Sequence, residues 1–361
     1  MFSHENSFNR FEFVRMVINK KERRQRIIET VVTTYMETGE PVSSAVVAGE
    51  CGLGLKPASI RSIMKELEDE GYLAQPHTSA GRVPTVKCYR FYVRYLMPEI
   101  DLRSTDMLVV RRAIEESLRE HDIDLFMHHL ASVLSELTDL IGVVLSPNFE
   151  QGIFDRIEIV NLGGSSVLLV LSLKSGVVNT IRITLDRVIP RWTLEETARI
   201  ITERLHGLSV TEIRNSIDRY LGDVHGGDLT LVEIILGKSD RIFNFSDDRN
   251  VHIAGLSRVL SHPDIGPYDR SIKLADMFEH KNEIAEAFRL ASLDTGDVAI
   301  HIGGRGPWGS VPPLSLIAAM YTSGTASGAV GIIGPARVHY PKLTALVKYA
   351  ATLPSHFFST S

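Results

Sequence analysis

Cysteine is nearly absent from this chain. Two residues in 361, Cys51 and Cys88, are too few for a disulfide framework and imply reduced thiols in a cytoplasmic protein. Long apolar runs are also missing. The longest, residues 167–173, is broken by Ser172 and is strand-sized, far short of the ~20 apolar residues that span a membrane. No membrane partner is therefore expected. The opening MFSHENSFNR has no basic start leading into an apolar core, so no secretory signal is expected either. No Cys/His set has zinc spacing, and the adjacent His128 and His129 face different sides of a helix, which leaves no expected metal. A P-loop and a nucleophile elbow are both lacking. Gly304, Gly306 and Gly309 spell a dinucleotide fingerprint, but Pro312-Pro313 follow where a helix would have to open. A glycine-rich loop is the better expectation, with no cofactor and no enzymatic activity.

What is present is globular. The chain is 44% hydrophobic and 23% charged, and its length calls for two or three domains. The net charge of −5 is unevenly spread. Residues 1–97 carry 14 Lys/Arg against 11 Asp/Glu, and the remainder carries 25 against 33. A mildly basic head on an acidic body suits a nucleic-acid-binding head.

The periodicity predicts an extension over 1–19, then a helix over 20–38 stopped by Gly39. A second helix is capped by Ser43 or Ser44, and a third starts at Pro57 and runs to about Glu70. Short strands at 72–75 and 82–83, joined by a turn rich in small polar residues, form a hairpin. Thr85 caps a fourth helix to about Met97. This is a winged helix-turn-helix over 20–97. Two more helices span 104–140. Strands follow at 153–162, 166–173 and 177–185, then a helical stretch over 187–249 that reads as an insertion. Strand signals return at 251–253, 298–302 and 329–333, and a helix ends the chain. The expected class is α+β and multidomain, with an α/β body over 98–186 and 250–361.

The third helix has two faces. Ile60, Ile63, Met64 and Leu67 share one side at about 100° per residue. Ala58, Ser62 and Lys65 point away, with Arg61 on the flank. Ser59, Arg61 and Ser62 are the hydrogen-bonding residues that the leading end of a recognition helix needs in a major groove, where Arg61 contacts a guanine edge or a phosphate. In the hairpin, His77, Thr78 and Ser79 suit phosphate or minor-groove contacts, and Gly81 permits close backbone approach. Arg82, Lys87, Arg90 and Arg94 add positive charge nearby.

Several runs resemble one family. Gly39-Glu40-Pro41-Val42, the helix Ala58-Ser59-Ile60-Arg61 with Met64 and Leu67-Glu68, the long motif PHTSAGRVPT at 76–85, Tyr89-Arg90-Phe91-Tyr92-Val93, and GIIGPAR at 331–337 with Tyr340 are similar to HrcA, the heat-inducible transcription repressors of bacteria. The resemblance implies a GAF-like body and a dimerisation role for the helical insertion. It further implies a homodimer on double-stranded DNA at an inverted repeat called CIRCE, and a GroEL chaperonin that maintains the active fold. The expected DNA-contacting set is Ser43, Ser44, Ala58, Ser59, Arg61, Ser62, Lys65, His77, Thr78, Ser79, Gly81 and Arg82. Ser62 stands where the family usually has Asn, so a slightly different operator sequence is expected. A regulator gated by a small molecule in the GAF-like body is the alternative.

Overall fold

The computed structural model describes residues 20–77, 80–120, 123–148, 152–175, 177–243, 245, 251–265, 268–292, 297–303, 313–323 and 326–359. The expected extension over 1–19, the glycine-rich loop at 304–309, and Thr78 and Ser79 lie outside them.

The head follows its local signals closely. Helix α1 is Lys20–Thr38 and α2 is Ser44–Glu50, with the Ser43 hydroxyl accepting from the Val46 amide as N-cap. Helix α3 is Pro57–Asp69, with proline in the first turn, where its missing N–H has no intrahelical partner to lose. The hairpin pairs β1 (Leu73–Ala74) with β2 (Val83–Pro84) and is two residues long on each side. The first strand is shorter than the expected 72–75 and the second is shifted by one from 82–83, because Arg82 pairs its backbone with Val42 instead, while the Tyr72 carbonyl accepts from both the amide and the hydroxyl of Thr85 at the other end. Thr85 also caps α4, Val86–Tyr95.

After α5 (Ser104–Glu120) and α6 (Ile123–Thr138) comes β3, Ile141–Asn148. The strands β7 (Val251–Ala254), β8 (Ala299–Ile302), β9 (Leu314–Ser323) and β10 (Ala326–Pro335) join β3 in an antiparallel sheet of order β7-β3-β10-β9-β8. Helix α6, together with α13 (Lys281–Ser292), α14 (Tyr340–Ala350) and α15 (Thr352–Ser359), packs on it. Between β7 and α13 run α11 (Leu256–Leu260), a 3-10 turn at Pro263–Ile265 and α12 (Tyr268–Glu279). The buried residues of head and sheet, from Ile27 and Leu67 through Tyr89 to Ile332 and Leu346, form one continuous core.

A second core is separate from it. The strands β4 (Phe154–Gly163), β5 (Ser166–Leu173) and β6 (Val178–Thr184) form their own antiparallel sheet. It is backed by α7 (Arg191–Leu205), α8 (Val210–Leu221), α9 (Leu229–Gly237) and α10 (Ser239–Ile242). This corrects the expected boundary at 186/187 and the expected purely helical insertion. Strand β5 buries Val167, Leu169, Leu171 and Leu173 in the same core as Leu194, Ile201, Ile213 and Leu231. An alternating pattern identifies a strand facing a core but not which core. The inserted unit is therefore mixed, and it leaves from β3 and returns at β7, two neighbours in the body sheet.

Candidate nucleic-acid interface

Helix α3 separates its residues as its period requires. Ile60, Met64 and Leu67 are fully or almost fully buried in the head core, whereas Ala58, Ser59, Arg61, Ser62 and Lys65 are exposed. The Lys56 carbonyl accepts from the Ser59 and Ile60 amides at 2.9 and 3.2 Å, so the first turn is closed without a side-chain cap. Serine hydroxyls at positions 59 and 62 stay clear of the backbone bonding that holds the turn. Ser43 is exposed just before α2, and Ser44 is half-buried in its first turn.

The cations around this face differ in how far they are committed. Arg61 makes no hydrogen bond or ion pair to any described residue and is exposed. Lys65 pairs with Asp69 at 3.1 Å and Glu68 at 3.4 Å, and the hydrogen bond it donates to Asp69 is the first cause that raises its pKa. Arg82 is turned inward. Its Nε and Nη2 both lie 2.9 Å from Glu68 Oε2, and its side chain is 14% exposed. Arg82, expected in the DNA-contacting set, is here a strut from the wing to α3. The partnership with Glu68 is not legible in the sequence, since an acidic residue late in a recognition helix reads as solvated surface.

Gly81 is also engaged within the chain. A Cβ there would fall 2.4 Å from the Val42 carbonyl oxygen and 2.6 Å from that of Pro41. Val42 and Arg82 exchange backbone hydrogen bonds at 2.9 and 2.8 Å. The close approach that needs glycine is made by the chain to itself. His77 is exposed at the wing tip, where its carbonyl accepts from the Ala80 amide and the Gln75 side chain closes on the Ala80 carbonyl. Lys87 donates to the Glu70 carbonyl at 2.7 Å and lies 4.3 Å over the Tyr72 ring. Arg90 reaches away from the wing to the Ile302 and Gly303 carbonyls of the body. The candidate face that remains comprises the start of α2, the exposed side of α3 around Arg61, and exposed His77 in the wing.

Elsewhere the chemistry is sparse. Among the described residues no group of three His, Cys, Asp or Glu is placed to hold a metal ion, and no helix is long and apolar enough to cross a membrane. Cys88 is buried, which pushes its thiol up to about 12 and away from thiolate chemistry. Ser146, His252 and Asp124 lie together, with Ser146 Oγ 3.1 Å and Asp124 Oδ1 3.9 Å from His252. Both contacts fall on the same ring nitrogen, Nε2, so the histidine cannot relay a proton from the serine while the carboxylate holds its other side.

The sequence family described as HrcA protein C terminal domain matches residues 124–344. A heat-inducible transcription repressor HrcA of Chlorobium phaeobacteroides (strain BS1) is 33% identical over 353 residues, covering 94% of this chain and 98% of that protein. One of the same name from Geobacter sulfurreducens is 33% identical over 335 residues, with 92% and 97% covered. A solved structure described as a hypothetical protein at 2.2 Å resolution shares the fold, with a TM-score of 0.57 at 22% identity, and covers 96% of this chain and 100% of that one.

Proposed function

The chain belongs to the HrcA family, and from that premise we propose that it is a transcriptional repressor of heat-shock operons acting on double-stranded DNA. The observation that carries the DNA-binding part is α3: its apolar residues are sealed in the head core while Ala58, Ser59, Arg61 and Ser62 face solvent with no competing partner for the guanidinium. Arg61 reads a guanine edge or a phosphate, and Ser59 and Ser62 donate to the groove. Ser43, Ser44 and His77 serve the phosphate backbone beside this face, and Thr78 and Ser79, outside the described residues, are proposed to do so from their sequence. Lys65 contributes a weakened charge.

The operator is the CIRCE inverted repeat, and the repressor is a homodimer. A two-fold DNA site calls for two heads held at fixed spacing. The inserted unit is the proposed dimer contact. Its Arg187–Asp228 ion pair at 2.7 Å brings together segments that leave Val188, Trp192 and Leu229 exposed, Trp192 by 68%. Apolar surface of that kind suits burial against a second copy. GroEL maintains the active fold, so that unfolded clients released by heat compete for it and repression fails.

The test is a mobility shift of the full-length protein with an intact repeat, a scrambled duplex and a single half-site. The expected result is tight binding to the intact repeat that weakens steeply with added salt. Equal binding of scrambled duplex would refute a sequence-specific repressor.

A further inference from the structure

The head is docked on the body at two charged contacts on either side of an aromatic one. Arg337 lies just past β10 in the body. Its Nε donates to Asp264 Oδ2 at 2.7 Å, and its guanidinium sits 5.9 Å from the ring centre of Tyr35 on α1 of the head. The C-terminal turn of α1 closes on it: Gly39 has a left-handed φ of +71°, and a Cβ there would lie 3.0 Å from Arg337 Nη1. From the other direction Arg90, on α4 of the head, donates to two successive body carbonyls, Ile302 at 2.8 Å and Gly303 at 2.9 Å. Between them the Tyr89 ring of the head meets the Tyr340 ring of the body at 5.8 Å.

These contacts differ in kind from the apolar packing around them. Burial of apolar surface is non-directional and tolerates sliding. A planar guanidinium bonded to two consecutive carbonyls, or clamped between a carboxylate and a ring, fixes an angle as well as a distance. Neither arginine belongs to the face around Arg61, and both sit where α1 and α4 touch the body, α1 in turn packing on α3 and on α4.

We infer that Arg337 and Arg90 are positioning residues for operator binding, holding the head at the angle on the body that lets two heads meet two half-sites at once. The inference rests on the reading of a dimer on an inverted repeat. A single half-site engages one head and is blind to that angle. An intact repeat gains from the second head only while the two are held in register, because the gain is an effective concentration set by geometry.

The experiment compares the full-length wild type with Arg90→Met, Arg337→Ala and Arg337→Lys. Affinities for the intact repeat and for one half-site are measured at the same salt. Arg90→Met and Arg337→Ala should weaken binding to the intact repeat by about tenfold while half-site binding stays within about twofold. Arg337→Lys keeps the charge beside Asp264 and should fall between wild type and alanine. An unchanged ratio of intact to half-site affinity in Arg90→Met overturns the inference, whether or not Arg337→Ala folds, because methionine keeps the helix and removes the two carbonyl bonds, while the one charge lost with them acts on each head alike and is read in the half-site affinity. If the wild type itself shows no preference for the intact repeat, the dimeric-repressor reading fails instead.

Discussion

Arg61 and Lys65 sit one turn apart on the same helix, yet the structure gives them unequal weight. The Arg61 guanidinium is uncommitted, whereas Lys65 shares its charge with Asp69 and Glu68. Arg61→Ala should therefore weaken specific binding by ~1–3 kcal/mol while leaving the melting temperature unchanged. Lys65→Ala should change operator affinity less and should reduce the salt slope by under about one. Equal losses at the two sites in a mobility-shift titration would show that the ion pairs of Lys65 open on DNA. A different residue, His252, contributes to the pH response. Burial, the main cause, lowers the pKa of His252 from its ordinary 6.5, with Asp124 opposing and His128 and Lys281 reinforcing. A histidine held neutral in the folded state leaves stability intact above 6.5. As pH falls below that value the unfolded chain takes up a proton that the folded chain refuses, so stability declines until the folded pKa is passed. Urea midpoints at successive pH values should show that decline in the wild type, and His252→Gln should flatten it.

The wing shows how an element depends on residues outside it. Its strands are too short to stand alone, and three contacts hold it: Arg82 on Glu68, the backbone exchange between Arg82 and Val42, and the seating of Gly81 on Pro41 and Val42. Gly81→Ala should destabilise the protein by ~1–3 kcal/mol through backbone overlap, read as a lower urea midpoint with the intact-repeat and half-site affinities falling together. Unchanged stability would mean that the wing lifts away freely. Legibility in the sequence follows the same divide between local and distant causes. The bounds of α1, a cap at Ser43 or Ser44, the proline start of α3 and the cap at Thr85 were readable because each is settled by neighbouring residues. The two faces of α3 were readable for the same reason. The partner of Arg82 was not readable because it lies 14 residues away, nor were those of Arg90, which lie more than 200 residues away. Strands β4–β6 were recognised as strands but given to the wrong core, since the helices that cover them come later in the chain.

At the scale of the molecule, the two cores are unequal in what they join. Head and body share one core, and the inserted unit has its own. The insertion departs after β3 and returns at β7, where Leu145 and Val251 are register partners in adjacent antiparallel strands. A short Gly/Ser turn in place of residues 149–250 would therefore close a hairpin and leave the body sheet paired, in the manner of an insertion at a loop. The shortened protein should retain a cooperative melt and half-site binding. If the exposed surface around Trp192 holds the dimer, it should sediment as a monomer and lose its preference for the intact repeat. Trp192→Asp in the full chain should give the same loss with far less removed, since a carboxylate cannot be buried unpaired against a second copy. A shortened protein that stayed dimeric would move the two-fold contact to the body or the head. The angle fixed by Arg337 and Arg90 would then be set next to the dimer axis, and the insertion would be free to serve the chaperonin alone.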